Sequence, residues 1–265
     1  MNTGKLTKLY IFLLSITLII MALLWLYNRR DVSRDYPEIK KEGILRIVTE
    51  YNSIGYHVSG DTIAGFQYEL SKAIEKVSGL TVEIHLENNM EKSIAGLNNQ
   101  IYDIIARNIP ITTENKELLA FTNPITLNRQ VLVQRTAKAN NDIPPIRNQI
   151  DLAKKTLHIS QNSPSILRLR NLEEEIADTI FIQEDPLYSD EHLIFLVAEG
   201  DIDFAVVDYQ IAEKNKKILP QIDIQTDISF TQLQAWAIRK DSPILLDSLN
   251  NWLKSVENGK LKVRN

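Results

Sequence analysis

The residue types that carry most enzymatic chemistry occur in this sequence without a recognisable catalytic spacing. The chain has 265 residues and no cysteine, which excludes disulfides, thiolate metal sites and cysteine nucleophiles. Its four histidines show no metal-ligand spacing, and no nucleophile elbow, P-loop or dinucleotide fingerprint is present. With 34 acidic residues, no carboxylate pair can be singled out for glycoside hydrolysis. We therefore predict no catalytic residue, no cofactor and no metal site.

One basic residue is placed where it could bind an anionic group. Arg107 directly follows the short apolar run 102–106, which has the pattern of a buried strand. A guanidinium at the carboxyl end of a strand could hold a carboxylate through two hydrogen bonds. The alternative is an arginine that forms an ordinary ion pair at the surface.

The elements that must position such residues alternate between strands and helices. Apolar residues at helical spacing and a closing glycine predict a helix at 65–79, and β-branched runs predict strands such as 44–50. Further strands are predicted at 80–87, 102–106, 129–135, 154–160, 179–183, 203–208, 222–226 and 232–239. Further helices are predicted at 90–99, 112–120, 163–175, 189–200, 209–218 and 242–259. This alternation predicts an α/β fold of two lobes, with a ligand cleft at the carboxyl ends of the strands.

The first 30 residues have a different composition from the rest of the chain. Residues 9–27 carry no charge, and a bilayer core is spanned by roughly 20 apolar residues. The run ends in bulky and basic residues rather than the small residues of a cleavage site. We predict an uncleaved signal anchor, a single transmembrane helix within 1–30, in the cytoplasmic (inner) membrane. A polar tether is predicted at 31–43, with the body on the extracytoplasmic side.

The charge of the remaining 235 residues excludes one class of partner. They hold 26 basic and 34 acidic side chains, a net charge of 8 negative. A nucleic-acid-binding domain would normally have a basic surplus, so we predict no nucleic-acid partner.

Several motifs in a fixed order resemble the bacterial solute-binding proteins of family 3, which have the type II periplasmic-binding fold. The motifs are LRIVTE (45–50), GFQYELSKAIEK (65–76), YDIIA with ITTEN (102–115), FTNPITLNRQVLVQR (121–135), GDIDFAVVDYQIA (200–212) and the C-terminal run 235–261. The second motif is most similar to the binding-protein-like domain of the membrane-bound lytic transglycosylase F family. In that family a lysozyme-like catalytic domain follows, whereas this sequence ends at Asn265. The resemblance implies a binding module rather than an enzyme.

The resemblance also implies ligand contacts at particular positions. Asn115 stands where amino-acid-binding members have an arginine that clamps a carboxylate, and Arg107 is the candidate replacement. Asp208 matches the aspartate that binds the ligand's ammonium group, although it could instead be only a helix N-cap. Tyr51 and Tyr56 fall where aromatic residues enclose the ligand, or they pack in the hinge or core.

The helix that opens the second lobe adds one more candidate. Ser163 matches a hydroxyl donor for the ligand, and its alternative role is that of a helix N-cap. The predicted ligand-binding residues are therefore Tyr51, Tyr56, Arg107, Ser163 and Asp208.

We predict a membrane-anchored, extracytoplasmic module that closes two lobes on a small polar ligand, such as an amino acid or a cell-wall peptide (muropeptide). The expected lobes are 44–130 with 232–265, and 131–231. The module would act in sensing, in transport or in regulating a cell-wall enzyme, with a membrane or cell-wall protein as partner. The alternatives are a dehydratase-like enzyme on the same fold and a scaffold that binds only protein.

Overall fold

The computed structural model describes residues 10, 12–22, 34–161, 163 and 165–257. The chain divides into two compact units, Met1–Arg34 and Asp35–Asn265. In the first unit, residues 12–22 are helical, while residues 9, 11 and 23–27 of the predicted anchor lie outside the described residues. Within the part of the chain that is described, no helix is both long enough and apolar enough to cross a membrane.

Lobe 1 of the second unit is built on a six-stranded sheet with the order β4-β1-β5-β13-β6, and β7 also pairs with β13. β1 is parallel to β4 and β5, whereas β13 is antiparallel to its neighbours. The strands are β1 (Ile44–Thr49), β4 (Thr81–Leu86), β5 (Ile104–Pro110), β6 (Ala120–Phe121), β7 (Thr126–Asn128) and β13 (Gln232–Ile238). The helices of this lobe are α1 (Tyr36–Glu42), α2 (Phe66–Ser78), α3 (Met90–Asn98), α4 (Thr113–Leu118) and α8 (Pro243–Ser255). A two-stranded hairpin pairs β2 (His57–Ser59) with β3 (Thr62–Ala64).

Lobe 2 is built on a five-stranded sheet with the order β10-β9-β11-β8-β12. β9 is parallel to β10 and β11, and β8 is antiparallel to β11 and β12. The strands are β8 (Gln130–Arg135), β9 (Thr156–Ser160), β10 (Phe181–Asp185), β11 (Ala205–Asp208) and β12 (Ile222–Asp227). The helices are α5 (Ser165–Ile176), α6 (Asp190–Glu199), α7 (Tyr209–Lys216) and short 3-10 turns at Ala137–Ala139 and Gln149–Leu152.

Each sheet has an apolar core on both faces, as expected for strands that are buried between helices. In lobe 1, Ile104 and Ala106 of β5 face one core, whereas Ile105 and Ile109 face the other. Such alternation follows from the period of two along a strand. It determines which side chains of β5 can reach the cleft.

Two strand connections join the lobes, and they are tied to each other. β7 leads into β8 through Arg129, and β12 leads back to β13. Arg129 Nε lies 2.7 Å from Asp227 Oδ1, and the Ile228 N–H donates to Gln130 O at 2.8 Å. These contacts hold the two crossings side by side, so they form a single hinge region.

The structure corrects two predictions about local elements. The predicted tether at 31–43 contains α1, because Asp35 and Glu38 form a capping box and Gly43 closes the helix with a φ of 79°. The strand predicted at 102–106 instead runs from Ile104 to Pro110. Arg107 therefore lies within β5 and does not follow it.

Candidate functional site

Polar strand ends of the two lobes meet around a small enclosed space. Its volume is about 10 Å³, which is room for about one water molecule. The residues around it are Glu50, Asn52, Ile54, Gly55, Gln67 and Asn108 of lobe 1 and Asp208, Gln210 and Ile211 of lobe 2. Glu50 directly follows β1 and Asp208 ends β11, so acidic groups at the carboxyl ends of parallel strands face each other across the cleft.

Asp208 presents its carboxyl group to this space instead of capping the helix that follows. It occupies the N-cap position of α7, but its side chain makes no capping hydrogen bond. The carboxyl accepts a hydrogen bond from Gln130 Nε2. Burial, with added repulsion from Asp190 and Glu50, raises the pKa of Asp208 to about 8.

Asp190, at the start of α6, is a second half-buried carboxyl next to Asp208. Its Oδ1 accepts from Ser160 Oγ at 2.8 Å, and its Oδ2 accepts from the Asp208 N–H at 3.4 Å. Burial, with repulsion from Glu50 and Glu191, raises the pKa of Asp190 to about 7. Both aspartates therefore keep their protons to a higher pH than a free carboxyl would, and a positive charge entering the cleft would favour their ionised forms.

Arg107 supports this site from outside its lining. Its guanidinium donates to the carbonyl groups of Glu87 and Asn88, and Nη1 lies 3.5 Å from Glu50 Oε2. The side chain is only 7% exposed and lies on the same face of β5 as Ile105 and Ile109. Arg107 thus positions Glu50 and the end of β4, and it does not border the enclosed space.

The next residue, Asn108, points to the opposite face of β5 and does border the space. Its Oδ1 accepts from Gln67 Nε2 at 2.9 Å, and its Nδ2 donates to Gln210 Oε1 of lobe 2 at 3.3 Å. Gln67 Oε1 in turn accepts from the buried Trp236 indole at 2.6 Å. This row of amides connects the core of lobe 1 to the cleft and fixes the orientation of each amide group.

The other three predicted residues lie near the cleft but outside the lining. Tyr51 is exposed, and its N–H donates to Asn88 Oδ1 at 2.9 Å. Tyr56 packs edge-to-face on Tyr68, with 5.7 Å between the ring centroids.

Ser163 is connected to Asp208 through a short polar network. Its Oγ donates to Ser165 Oγ at 3.0 Å, and Ser165 Oγ donates to Gln130 Oε1 at 2.7 Å. Gln130 then donates to Asp208. Of the five predicted residues, Asp208 therefore lies in the lining, and Ser163 is linked to Asp208 by a chain of hydrogen bonds through Ser165 and Gln130.

Most residues that line the space were not among the predicted ligand-binding residues. Glu50 is the last residue of the first strand motif, and an acidic residue at a strand end was an available signal. Asn108 was not considered because the strand was predicted to end at residue 106, before this position. Gln67 and Gln210 lie on helices, and no local pattern distinguishes them from other glutamines on helices. In the described part of the chain, no cluster of histidine and acidic side chains could hold a metal ion.

Two α/β lobes, joined by paired crossings and meeting at polar strand ends, define the class of two-lobed periplasmic-binding folds. The model of the bacterial extracellular solute-binding proteins, family 3, matches residues 45–263. The chain belongs to this family, as the sequence motifs indicated.

The similar curated proteins are named membrane-bound lytic murein transglycosylase F. The protein from Desulfosudis oleivorans is 28% identical over 236 residues, covering 89% of this chain and 50% of that protein. The protein from Actinobacillus succinogenes is 28% identical over 245 residues, covering 90% and 49%. The chain therefore spans about half the length of the curated relatives that it matches. The predicted resemblance to the binding-protein-like part of that family is confirmed.

Solved structures with the same fold include amino-acid-binding proteins. An ancestral arginine-binding protein bound to arginine has a TM-score of 0.72 at 21% identity, covering 83% of this chain and 94% of that chain. Holo ArgBP from T. maritima has a TM-score of 0.70 at 23% identity, covering 84% and 94%. These similarities confirm the two-lobed α/β architecture.

Proposed function

We propose that this protein is an extracytoplasmic binding module that closes its two lobes on a small polar ligand bearing an amino group. The observation that carries the proposal is the meeting of Glu50 from lobe 1 and Asp208 from lobe 2 around one space. Both carboxylates can accept hydrogen bonds from an ammonium group, and such charge-assisted bonds are among the strong ones. Asn108 and Gln210 would supply further donors and acceptors for the polar remainder of the ligand.

The remaining candidate residues have supporting roles in this proposal. Arg107 positions Glu50 through the 3.5 Å ion pair, and Ser163 stabilises Asp208 through Ser165 and Gln130. Tyr51 and Tyr56 lie on the segment that follows β1 and would enclose a ligand larger than the present space. An amino acid or a muropeptide fragment fits this description. The word "murein" in the relatives' names favours the muropeptide.

The proposal includes attachment to the cytoplasmic membrane through residues 9–27. The support is the uncharged 19-residue run in the sequence and the words "membrane-bound" in the relatives' names. A module fixed at the membrane surface suits sensing, or regulation of a cell-wall enzyme, better than it suits a diffusing transport shuttle. The two lobes would report ligand binding to a neighbouring protein by a hinge motion.

A thermal-shift screen of the full-length protein would test the binding function. The compounds would be the common amino acids, short peptides and purified muropeptides. A ligand present at 100 times its Kd stabilises the folded state by about 2.7 kcal/mol, which is readily detected. Asp208→Asn should abolish the shift for an amino-bearing compound that binds.

The matched control for that substitution is Asp247→Asn, at an exposed aspartate on α8, away from the cleft and the hinge. This control should preserve the ligand-induced shift. The proposal fails if no compound stabilises the protein, or if Asp208→Asn and Asp247→Asn respond alike to a compound that does.

One observation favours a second candidate, a scaffold that binds another protein and no small ligand. The space between the lobes is only about 10 Å³, which is room for about one water molecule and not for an amino acid. A scaffold would show no stabilisation in the screen, yet it would retain a protein partner after Asp208→Asn.

A further inference from the structure

A tight loop of lobe 1 reaches across the cleft and is held by charged residues of lobe 2. We name residues 52–56 the latch loop. At its tip, the Ser53 N–H donates to Glu191 Oε1 at 2.9 Å, and the Ser53 carbonyl accepts from Lys214 Nζ. Glu191 lies on α6 and Lys214 on α7. Both polar groups of one backbone residue are therefore bound by side chains of the opposite lobe.

The next residue of the latch loop adds an apolar contact to the same lobe. Ile54 packs against the cluster of lobe 2 that contains Val207, Ile211 and Ala212. The side chain also borders the small space next to Asp208. Burial of this aliphatic surface favours the docked position of the loop through the hydrophobic effect. The latch loop thus combines charge-assisted hydrogen bonds with a hydrophobic contact.

The latch loop takes its shape from lobe 1 and not from lobe 2. Asn52 Oδ1 accepts from the N–H groups of Ile54 and Gly55, and the backbones of Asn52 and Tyr56 pair with each other. The Gly55 carbonyl accepts from the N–H groups of Gln67 and Tyr68 in the first turn of α2. The loop is therefore fixed before it meets lobe 2, and a preformed loop loses little entropy on docking.

One glycine makes this shape possible. Gly65 has a φ of +126°, and a Cβ at this position would lie 2.4 Å from the Gly55 carbonyl oxygen. Both the backbone conformation and the close approach exclude a larger residue. The sequence therefore supports the latch loop with a residue that does not itself touch lobe 2.

We propose that the latch loop stabilises the closed arrangement of the two lobes through its direct contacts with lobe 2. With the loop docked, the enclosed space has the volume of about one water molecule. A compound the size of an amino acid can enter only if the lobes separate and the loop leaves Glu191 and Lys214. Opening of the latch loop would then precede entry, and its strength would set the population of binding-competent molecules.

Distances between spin labels on the two lobes would test this proposal without any ligand. Because the chain has no cysteine, Lys92→Cys in lobe 1 and Glu174→Cys in lobe 2 provide two unique label sites at exposed positions. The full-length, labelled protein should give one dominant short distance by pulsed electron paramagnetic resonance. Combining Ile54→Ala, Glu191→Gln and Lys214→Met should raise the population of longer distances about tenfold or more.

A matched triple variant controls for the loss of the same residue types. Ile143→Ala, Glu199→Gln and Lys138→Met alter exposed positions of lobe 2 away from the cleft, and they should leave the distances unchanged. Lys214→Met alone changes one exposed side chain without risk to the fold, and it should give an intermediate increase. Equal distance distributions in the parent and Lys214→Met proteins, or a parent that is mostly open, would overturn the proposal. Either result is independent of the ligand screen, so a failed latch and a failed binding function can be distinguished.

Discussion

Asp208→Asn should remove much of a pH-dependent loss of stability that originates in the cleft. In the folded protein the pKa of Asp208 is raised from 3.8 to about 8 and that of Asp190 from 3.8 to about 7, chiefly by burial. A carboxyl group with a raised pKa binds its proton more tightly in the folded state than in the unfolded state. Its contribution to stability is complete below about pH 4 and is lost as the pH rises through the folded-state pKa.

The size of this loss follows from the shifts. For Asp190, a rise from 3.8 to about 7 is roughly three pKa units, and each unit corresponds to about 1.4 kcal/mol. One such group would lower the free energy of unfolding by about 4 kcal/mol between acid and alkaline pH. The two carboxyls repel each other and titrate as a pair, so their combined effect is less than twice that amount.

Urea unfolding followed by circular dichroism at about pH 5, 7 and 9 would measure this dependence. The full-length wild-type protein should lose several kcal/mol across that range. Asp208→Asn should lose clearly less and should be the more stable protein at the highest pH, because a neutral amide carries no ionisation cost there. Asp247→Asn, at an exposed aspartate on α8, serves as the control and should follow the wild-type protein. Parallel pH profiles for wild type and Asp208→Asn would refute the assignment of a coupled pair of carboxyls with raised pKa values.

Three further outcomes can be checked. Gly65→Ala should lower the free energy of unfolding by about 3 kcal/mol or more in urea, because the new Cβ would clash with the Gly55 carbonyl oxygen. The control Gly79→Ala has a φ of +72° but no atom within 4 Å of the new Cβ, so it should lower the free energy of unfolding by only about 1 kcal/mol. Asp35→Ala should cost about 2 kcal/mol or more by the same assay, because its carboxylate caps α1 and also accepts from the first N–H groups of α8. If residues 9–27 form an anchor, the protein should stay with membranes after a carbonate wash, and release of an intact or shortened soluble form would count against it.

The sequence patterns were sufficient to predict the larger elements and their class of architecture. The run 65–79 has apolar residues at helical spacing and 44–50 is a β-branched run, so the type of each could be assigned from the pattern alone. The short strands at 57–59, 62–64 and 126–128 have only three residues each, which is too few to establish a period. α1 was missed for a different reason, since its capping box was visible in the sequence but the surrounding polar residues suggested a tether.

The candidate site was predicted less completely because small boundary errors matter at strand ends. Arg107 and Asn108 are neighbours, yet the alternation of β5 directs one to the α3 face and the other to the cleft. Because the strand was expected to end at residue 106, Arg107 was predicted to contact the ligand. In the structure Asn108 borders the space, and Arg107 only positions Glu50. Contacts such as Ser53 with Glu191 join residues more than a hundred positions apart, and no local pattern encodes them.

The electrostatics of the cleft connect lobe closure to the charge of a ligand. Glu50 belongs to lobe 1, and its negative charge raises the pKa of both Asp190 and Asp208 in lobe 2. This repulsion acts at full strength only while the lobes are together, since water screens the carboxylates when they separate. Protonation of the aspartates, or a positive charge between them and Glu50, therefore favours closure at neutral pH. An amino group on the ligand would supply that charge and release the protons, so its affinity should increase as the pH rises from about 6 to about 8. A ligand without a positive charge would leave the repulsion in place, and its affinity should decrease over the same range.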